Sequence, residues 1–174
     1  MAATQVAEWT MDSDPGWSTE GLWDWGAPSG GGGSYGNPDP TAGASGSSVL
    51  GYNLAGDYEN NLSERHTTST PLDLTGLDSA TLRFARWLNV EQSSYDHAYV
   101  RASADGAQWV TLWENGSTIT DSGWSVQEFT LPASVIGPST RIRFTMGTTD
   151  WGWQYSGWNI DDVSIWAAGA GGAD

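Results

Sequence analysis

The sequence predicts an all-β protein, a two-sheet antiparallel sandwich with one long Gly-rich loop. Three observations point there. Apolar residues alternate with polar ones and do not recur at helical spacing; the alternating runs are short and cut by Gly, Asp, Asn and Ser; and no window reads as a helix. At 174 residues the chain fits one domain and can bury a core without staples.

Taken in order, Leu82 and Phe84 alternate with Thr81 and Arg83, and Ala98, Val100 and Ala102 alternate with Tyr99, Arg101 and Ser103. Asp105-Gly106 separates that run from Trp109–Trp113, a strong hairpin turn. Asn115-Gly116 marks a second turn. Ile142 and Phe144 alternate with Arg141, Arg143 and Thr145, and Ile160, Val163 and Ile165 close the series. Trp87, Trp109, Trp113 and Trp158, on these strands, are expected to fill the core. Residues 27–48 are nearly all turn formers, interrupted by Tyr35, Asn37 and Asp39. A loop of this length inside a compact domain is commonly functional, and it is expected to be ordered, held by a cation or by neighbouring Trp residues. The domain is read as 1–167, with an Ala/Gly linker stub at 168–174 that suggests a segment cut from a longer protein.

Composition excludes several classes. There is no Cys, hence no disulfide framework, zinc-thiolate site or thiol enzyme. The net charge of -15, with 21 acidic residues against six Arg, argues against nucleic acid and anionic membrane surfaces. No apolar stretch is long enough to insert in a bilayer. Met1–Gln5 lacks the basic and apolar regions of a signal peptide, so Met1 reads as an added start.

His66 and His97 are the only histidines, and no metalloprotease helix or nucleophile-elbow motif accompanies them. The adjacent carboxylates Asp161 and Asp162 are expected on opposite faces of a strand, which prevents them from flanking one glycosidic bond. No catalytic residue is assigned. Calcium fits the acidity better, because it takes six to eight oxygen ligands, usually from loops. The oxygen-rich frames supply the metal candidates Asp39, Asp57, Glu91, Asp96 and Asp161; the alternative is Asx-type turns. Twelve Trp residues, many in Gly- and Asp-rich frames, supply flat apolar faces with a polar edge. The ligand-binding candidates are Trp23, Trp25 and Tyr35 in or near one loop and Trp151, Trp153 and Tyr155 in another. Packing of these aromatics over the long loop is the alternative.

An ordered series of motifs runs through the chain: Leu22–Pro28, Gly51–Tyr58, Pro71–Gly76, Arg86–Glu91, Tyr95–Val100 and Gly157–Val163. From about Trp17 to Trp166 the chain resembles the MAM-like jelly-roll modules appended to secreted bacterial metallopeptidases and found in cleaved-adhesin and choice-of-anchor proteins. The resemblance implies a two-sheet jelly roll, often calcium-carrying, without catalytic residues. It places Asp57, Glu91, Asp96 and Asp161 in matched motifs, whereas Asp39 rests on chemistry alone. The expected function is a non-catalytic, calcium-stabilised accessory module of a secreted bacterial protein that recognises a polysaccharide or protein surface. A catalytic domain is expected to be attached covalently. The alternatives are a purely structural domain stabilising an attached metallopeptidase, and a glycan-active enzyme.

Overall fold

The computed structural model describes residues 3–168, so the expected linker stub lies outside the described residues beyond Ala168. Twelve strands form two antiparallel sheets, and the helical content of the described residues is a single 3-10 turn at Ala133–Val135. This is the jelly-roll sandwich expected.

The first sheet has seven strands: β1 (Thr4–Trp9), β3 (Trp23–Gly26), β4 (Val49–Tyr52), β6 (Ala80–Val90), β9 (Ile119–Thr120), β10 (Ser125–Leu131) and β12 (Gly157–Ala167). Its spine is the pair of 11-residue strands β6 and β12. β12 pairs with β4 at Asn159–Ile160 and with β1 at its C-terminal end, where Thr4 faces Ala167. The second sheet has five strands in the order β2 (Ser18–Thr19), β5 (Arg65–Thr68), β11 (Arg141–Met146), β7 (Ala98–Ser103) and β8 (Val110–Glu114). The Asp105-Gly106 hairpin joins β7 and β8; the Ser103 hydroxyl accepts from the amides of Asp105 and Gly106, and the Asp105 carboxylate from those of Ala107 and Gln108.

The alternating residues meet between the sheets. Leu82, Phe84, Ile160, Val163 and Ile165 face Val100, Ala102, Ile142 and Phe144, and all are buried. Apart from Ala102, each such side chain contributes about 1.5–3 kcal/mol on burial. Phe144 meets Phe84 edge-on at 4.9 Å and Trp158 at 5.5 Å. Trp158 is completely buried, and its indole N–H donates to the Thr145 carbonyl at 2.9 Å.

The core reading of the other strand tryptophans needs correction. Trp113 packs against the core while remaining half-buried. Trp87 and Trp109 are also half-buried, and their partners lie elsewhere: Trp87 donates to the Pro38 carbonyl of the long loop, and Trp109 lies 3.8 Å under the Arg143 guanidinium. An aromatic ring can cover polar backbone or stack with a cation on a sheet surface as well as fill a core.

The period-two pattern of β12 breaks at Ile160 and Val163, which are three residues apart yet both buried. A bulge explains it: the register with β6 shifts between Asp161 and Ser164, and Asp162 adopts φ 47°. The extra residue also overturns the opposite-faces reading of Asp161 and Asp162. Both carboxylates reach Ser45, Asp161 accepting from its amide at 3.1 Å and Asp162 from its hydroxyl at 2.7 Å.

The 27–48 loop is ordered and lies over the outer face of the seven-stranded sheet. Asp57 accepts from Gly33 N at 2.7 Å and from the Ser34 hydroxyl at 2.5 Å. Asn37 donates its amide to Asn89 at 2.8 Å, and Asn159 donates to Asp39 at 2.8 Å. Gly32 sits at φ 76°, with a Cβ direction that would come 2.5 Å from the Asp57 carboxylate, so this close approach requires glycine.

Candidate functional site: an acidic cluster beneath an aromatic ridge

Three connections converge at one end of the sandwich: the segment after β6, which carries Glu91 and Asp96; the segment after β11, which carries Asp150, Trp151 and Trp153; and the segment between β4 and β5, which carries Tyr58. The strands bring these loops together although their residues lie far apart in sequence.

Glu91, Asp96 and Asp150 each place a carboxylate oxygen within 4.8 Å of the others. Asp96 is completely buried. Its Oδ2 accepts from the Tyr58 hydroxyl at 2.5 Å and its Oδ1 from the Asp150 amide at 3.0 Å. Asn115, also buried, donates to the backbone carbonyls of Glu91 and Asp96 and accepts from Ala98 N, fixing both ends of the Glu91–Asp96 segment. Glu91 is 8 % exposed and its Oε1 has no hydrogen-bond partner. Burial raises the Glu91 carboxyl above its ordinary range, and the charges of Asp96 and Asp150 add to this. Burial also raises Asp96, with the Tyr58 and Asp150 hydrogen bonds opposing it. A site that disfavours negative charge on closely spaced oxygens is one that a hard cation relieves. The cluster can hold a metal ion.

An aromatic series rises from it. Tyr58 stacks near Tyr155 at 6.5 Å, Tyr155 lies 5.9 Å from Tyr35, and Tyr35 stacks on Trp153 at 4.8 Å with the rings 5° from parallel. Trp151 is 79 % and Trp153 56 % exposed. With Tyr95 and Gln92 they border an open cleft of about 410 Å³, whose remaining walls include Glu91 and Asp150. Trp153 holds φ 60°, an uncommon conformation for a bulky residue. Its neighbours fix it: Gln154 donates to the Tyr58 carbonyl, Tyr58 N to the Tyr155 carbonyl, and Asn61 N to the Asp150 carbonyl.

The sequence candidates distribute as follows. Glu91 and Asp96 come together, joined by Asp150, which the sequence reading omitted. Asp57 pins the long loop. Asp39, within that loop, and Asp161, on β12 beneath it, are nearly or fully buried; burial pushes Asp39 up to about 8 and Asp161 to about 6. Asp39 Oδ2 and Asn159 Oδ1 are buried without partners. Tyr35, Trp151 and Trp153 share the exposed ridge. Trp23 and Tyr155 are buried and present no free ring face; Trp23 donates to the Arg65 carbonyl, and Tyr155 lies between Tyr35 and Tyr58. Trp25 is half-buried and donates to the Met11 carbonyl. Tyr95, which also lines the cleft, and Asn115, read as a plain turn residue, were missed. Asp150 had one local signal, its position directly before Trp151-Gly152-Trp153.

The fold is a jelly-roll β-sandwich, and it carries an aromatic cleft at one end. No family model matches the chain. Over 164 residues it is 32% identical to Bacillopeptidase F of Bacillus subtilis (strain 168), a match covering 90% of the chain and 10% of that protein, so the chain spans about a tenth of this relative's length. In structure it is similar to the K3 cleaved adhesin domain of Lys-gingipain from Porphyromonas gingivalis W83, with a TM-score of 0.55, 17% identity and coverage of 93% of this chain and 99% of that one. It is also similar to the CBM22-1 xylan-binding domain of Paenibacillus barcinonensis Xyn10C, with a TM-score of 0.53, 10% identity and coverage of 94% of each chain. No helix among the described residues is long and apolar enough to cross a membrane.

Proposed function

We propose that this chain is a non-catalytic accessory module of an extracellular bacterial protein and that it recognises a glycan through the Trp151–Trp153 ridge. The observation that carries the reading is the pair of exposed indoles on a loop fastened at both flanks. Exposed rings on a pre-organised backbone lose little entropy on binding and offer the flat faces on which sugar rings stack. The structural neighbours are an adhesin domain and a xylan-binding domain, which supports a binding role, and the match within Bacillopeptidase F supports covalent attachment to a peptidase. A calcium ion at Glu91, Asp96 and Asp150 would stabilise the loops that carry the ridge; the orphaned Glu91 Oε1 supports this assignment.

Retention on a panel of immobilised polysaccharides tests the reading. Trp151→Ala is expected to abolish retention without changing the unfolding midpoint. Loss of retention only in step with loss of stability, or no retention by the parent chain on any polymer, would instead favour a purely structural domain.

A further inference from the structure

Resting on that reading, we infer that the cation at Glu91, Asp96 and Asp150 is itself part of the recognition surface: its open coordination positions face the aromatic cleft and take vicinal hydroxyls of a neutral sugar. Three facts lead there. First, the cluster is more than a group of nearby acids, because Glu91 Oε1 is buried and unpartnered. Second, Glu91 and Asp150 line the same cleft as Tyr95, Trp151 and Trp153, while Asp96 lies beneath, completely buried. A cation held by these carboxylates would have protein on one side and the cleft on the other. Third, the carboxylates by themselves do not fill its shell. Calcium takes about six to eight oxygens. The cluster offers three carboxylates, and both oxygens of Asp96 already accept hydrogen bonds, from Tyr58 and Asp150 N.

Charge selects the ligand class. Three carboxylates and one divalent cation leave one net negative charge, on a chain whose own balance is -15. An anionic sugar would enter against that field, whereas a neutral diol replaces two waters on the cation without adding charge. The rings complete the match, since a sugar held by two adjacent hydroxyls can lay its apolar face on a neighbouring indole.

Terbium, a luminescent stand-in for calcium that nearby indoles sensitise, tests the open shell. Emission lifetimes in light and heavy water are expected to report about two or more waters on the bound ion. Emission is expected to fall at least tenfold in Asp150→Asn and in Glu91→Gln. A dry ion would mean a closed structural site and overturn the inference, leaving the calcium-stabilised module intact. Absence of sensitised emission would overturn the inference and the calcium assignment together. Retention on the polysaccharide panel in calcium, and then in chelator, tests the coupling; at least a tenfold loss on chelation is expected, restored by calcium. Retention that survives chelation but not Trp151→Ala overturns the inference and leaves glycan recognition standing. Capture only of acidic polymers, or of basic peptides in place of sugars, also overturns it.

Discussion

The Tyr58 hydroxyl donates to Asp96 Oδ2 at 2.5 Å, and both residues are completely buried. This contact joins the hydrophobic core to the acidic cluster, because the same hydroxyl accepts from Glu91 N at 3.3 Å and the ring continues the stack toward Tyr35 and Trp153. One side chain thus touches both the cluster and the aromatic series of the ridge.

Tyr58→Phe keeps the ring and removes the hydroxyl. It leaves a buried carboxylate oxygen and the Glu91 amide short of a partner, at a cost of about 2–3 kcal/mol. Urea unfolding is expected to show a lower midpoint with unchanged slope. A midpoint equal to that of the parent chain would remove Tyr58 as the anchor of the cluster.

Asp39 gives the chain a pH-dependent stability. Burial raises its carboxyl from 3.8 to about 8, so the folded protein prefers the neutral acid. Its contribution to stability is complete below about 4 and is lost as pH rises toward about 8, because across that window the folded state holds a proton that the unfolded state releases. Asp39→Asn keeps the neutral form at every pH. In chelator it is expected to melt several degrees above the parent at pH 8, with the difference vanishing near pH 4. Equal melting temperatures at pH 8 would show that Asp39 carries no such penalty.

Asp57 holds the long loop through Gly33 and Ser34. Asp57→Ala removes both acceptor oxygens and is expected to speed hydrogen exchange of those two amides and to open residues 27–48 to proteolysis. The cost to global stability is about 1–3 kcal/mol. Unchanged exchange at Gly33 would assign the order of the loop to its other contacts.

Calcium is expected to raise the melting temperature of chelated protein by about 5–10 °C at a hundred times its dissociation constant. Magnesium should substitute poorly, because it prefers a smaller octahedral site. A flat response, together with no calcium by elemental analysis, would return the acidic cluster to hydrogen bonding alone.

The sandwich was legible because period two is a direct image of the pleat: Leu82–Phe84, Val100–Ala102 and Ile142–Phe144 each name an inward face. Even the β12 bulge left a trace in the three-residue step from Ile160 to Val163. The site was legible only in part. Glu91, Asp96, Trp151 and Trp153 stand in oxygen-rich or aromatic loop frames that can be read locally. Their meeting with Asp150 depends on which loops share an end of the sandwich, and no local spacing encodes that. Trp23 and Trp151 occupy similar Gly- and Asp-rich frames, yet one is buried and the other exposed. Trp23 lies on β3 in the core, edge-on to Tyr52 at 5.7 Å and with its indole N–H on the distant Arg65 carbonyl, whereas Trp151 lies on a loop.

The pairing of β1 with β12 sets how the domain carries load. Thr4 faces Ala167 at the end of an antiparallel ladder, so the chain enters and leaves side by side. Tension between these points runs along the inter-strand hydrogen bonds, which lie perpendicular to antiparallel strands. It opens them one after another, as a zipper does, and does not shear them together. Under a pull along the polypeptide, β1 peels first, while the Tyr58–Asp96 contact lies in loops away from that ladder.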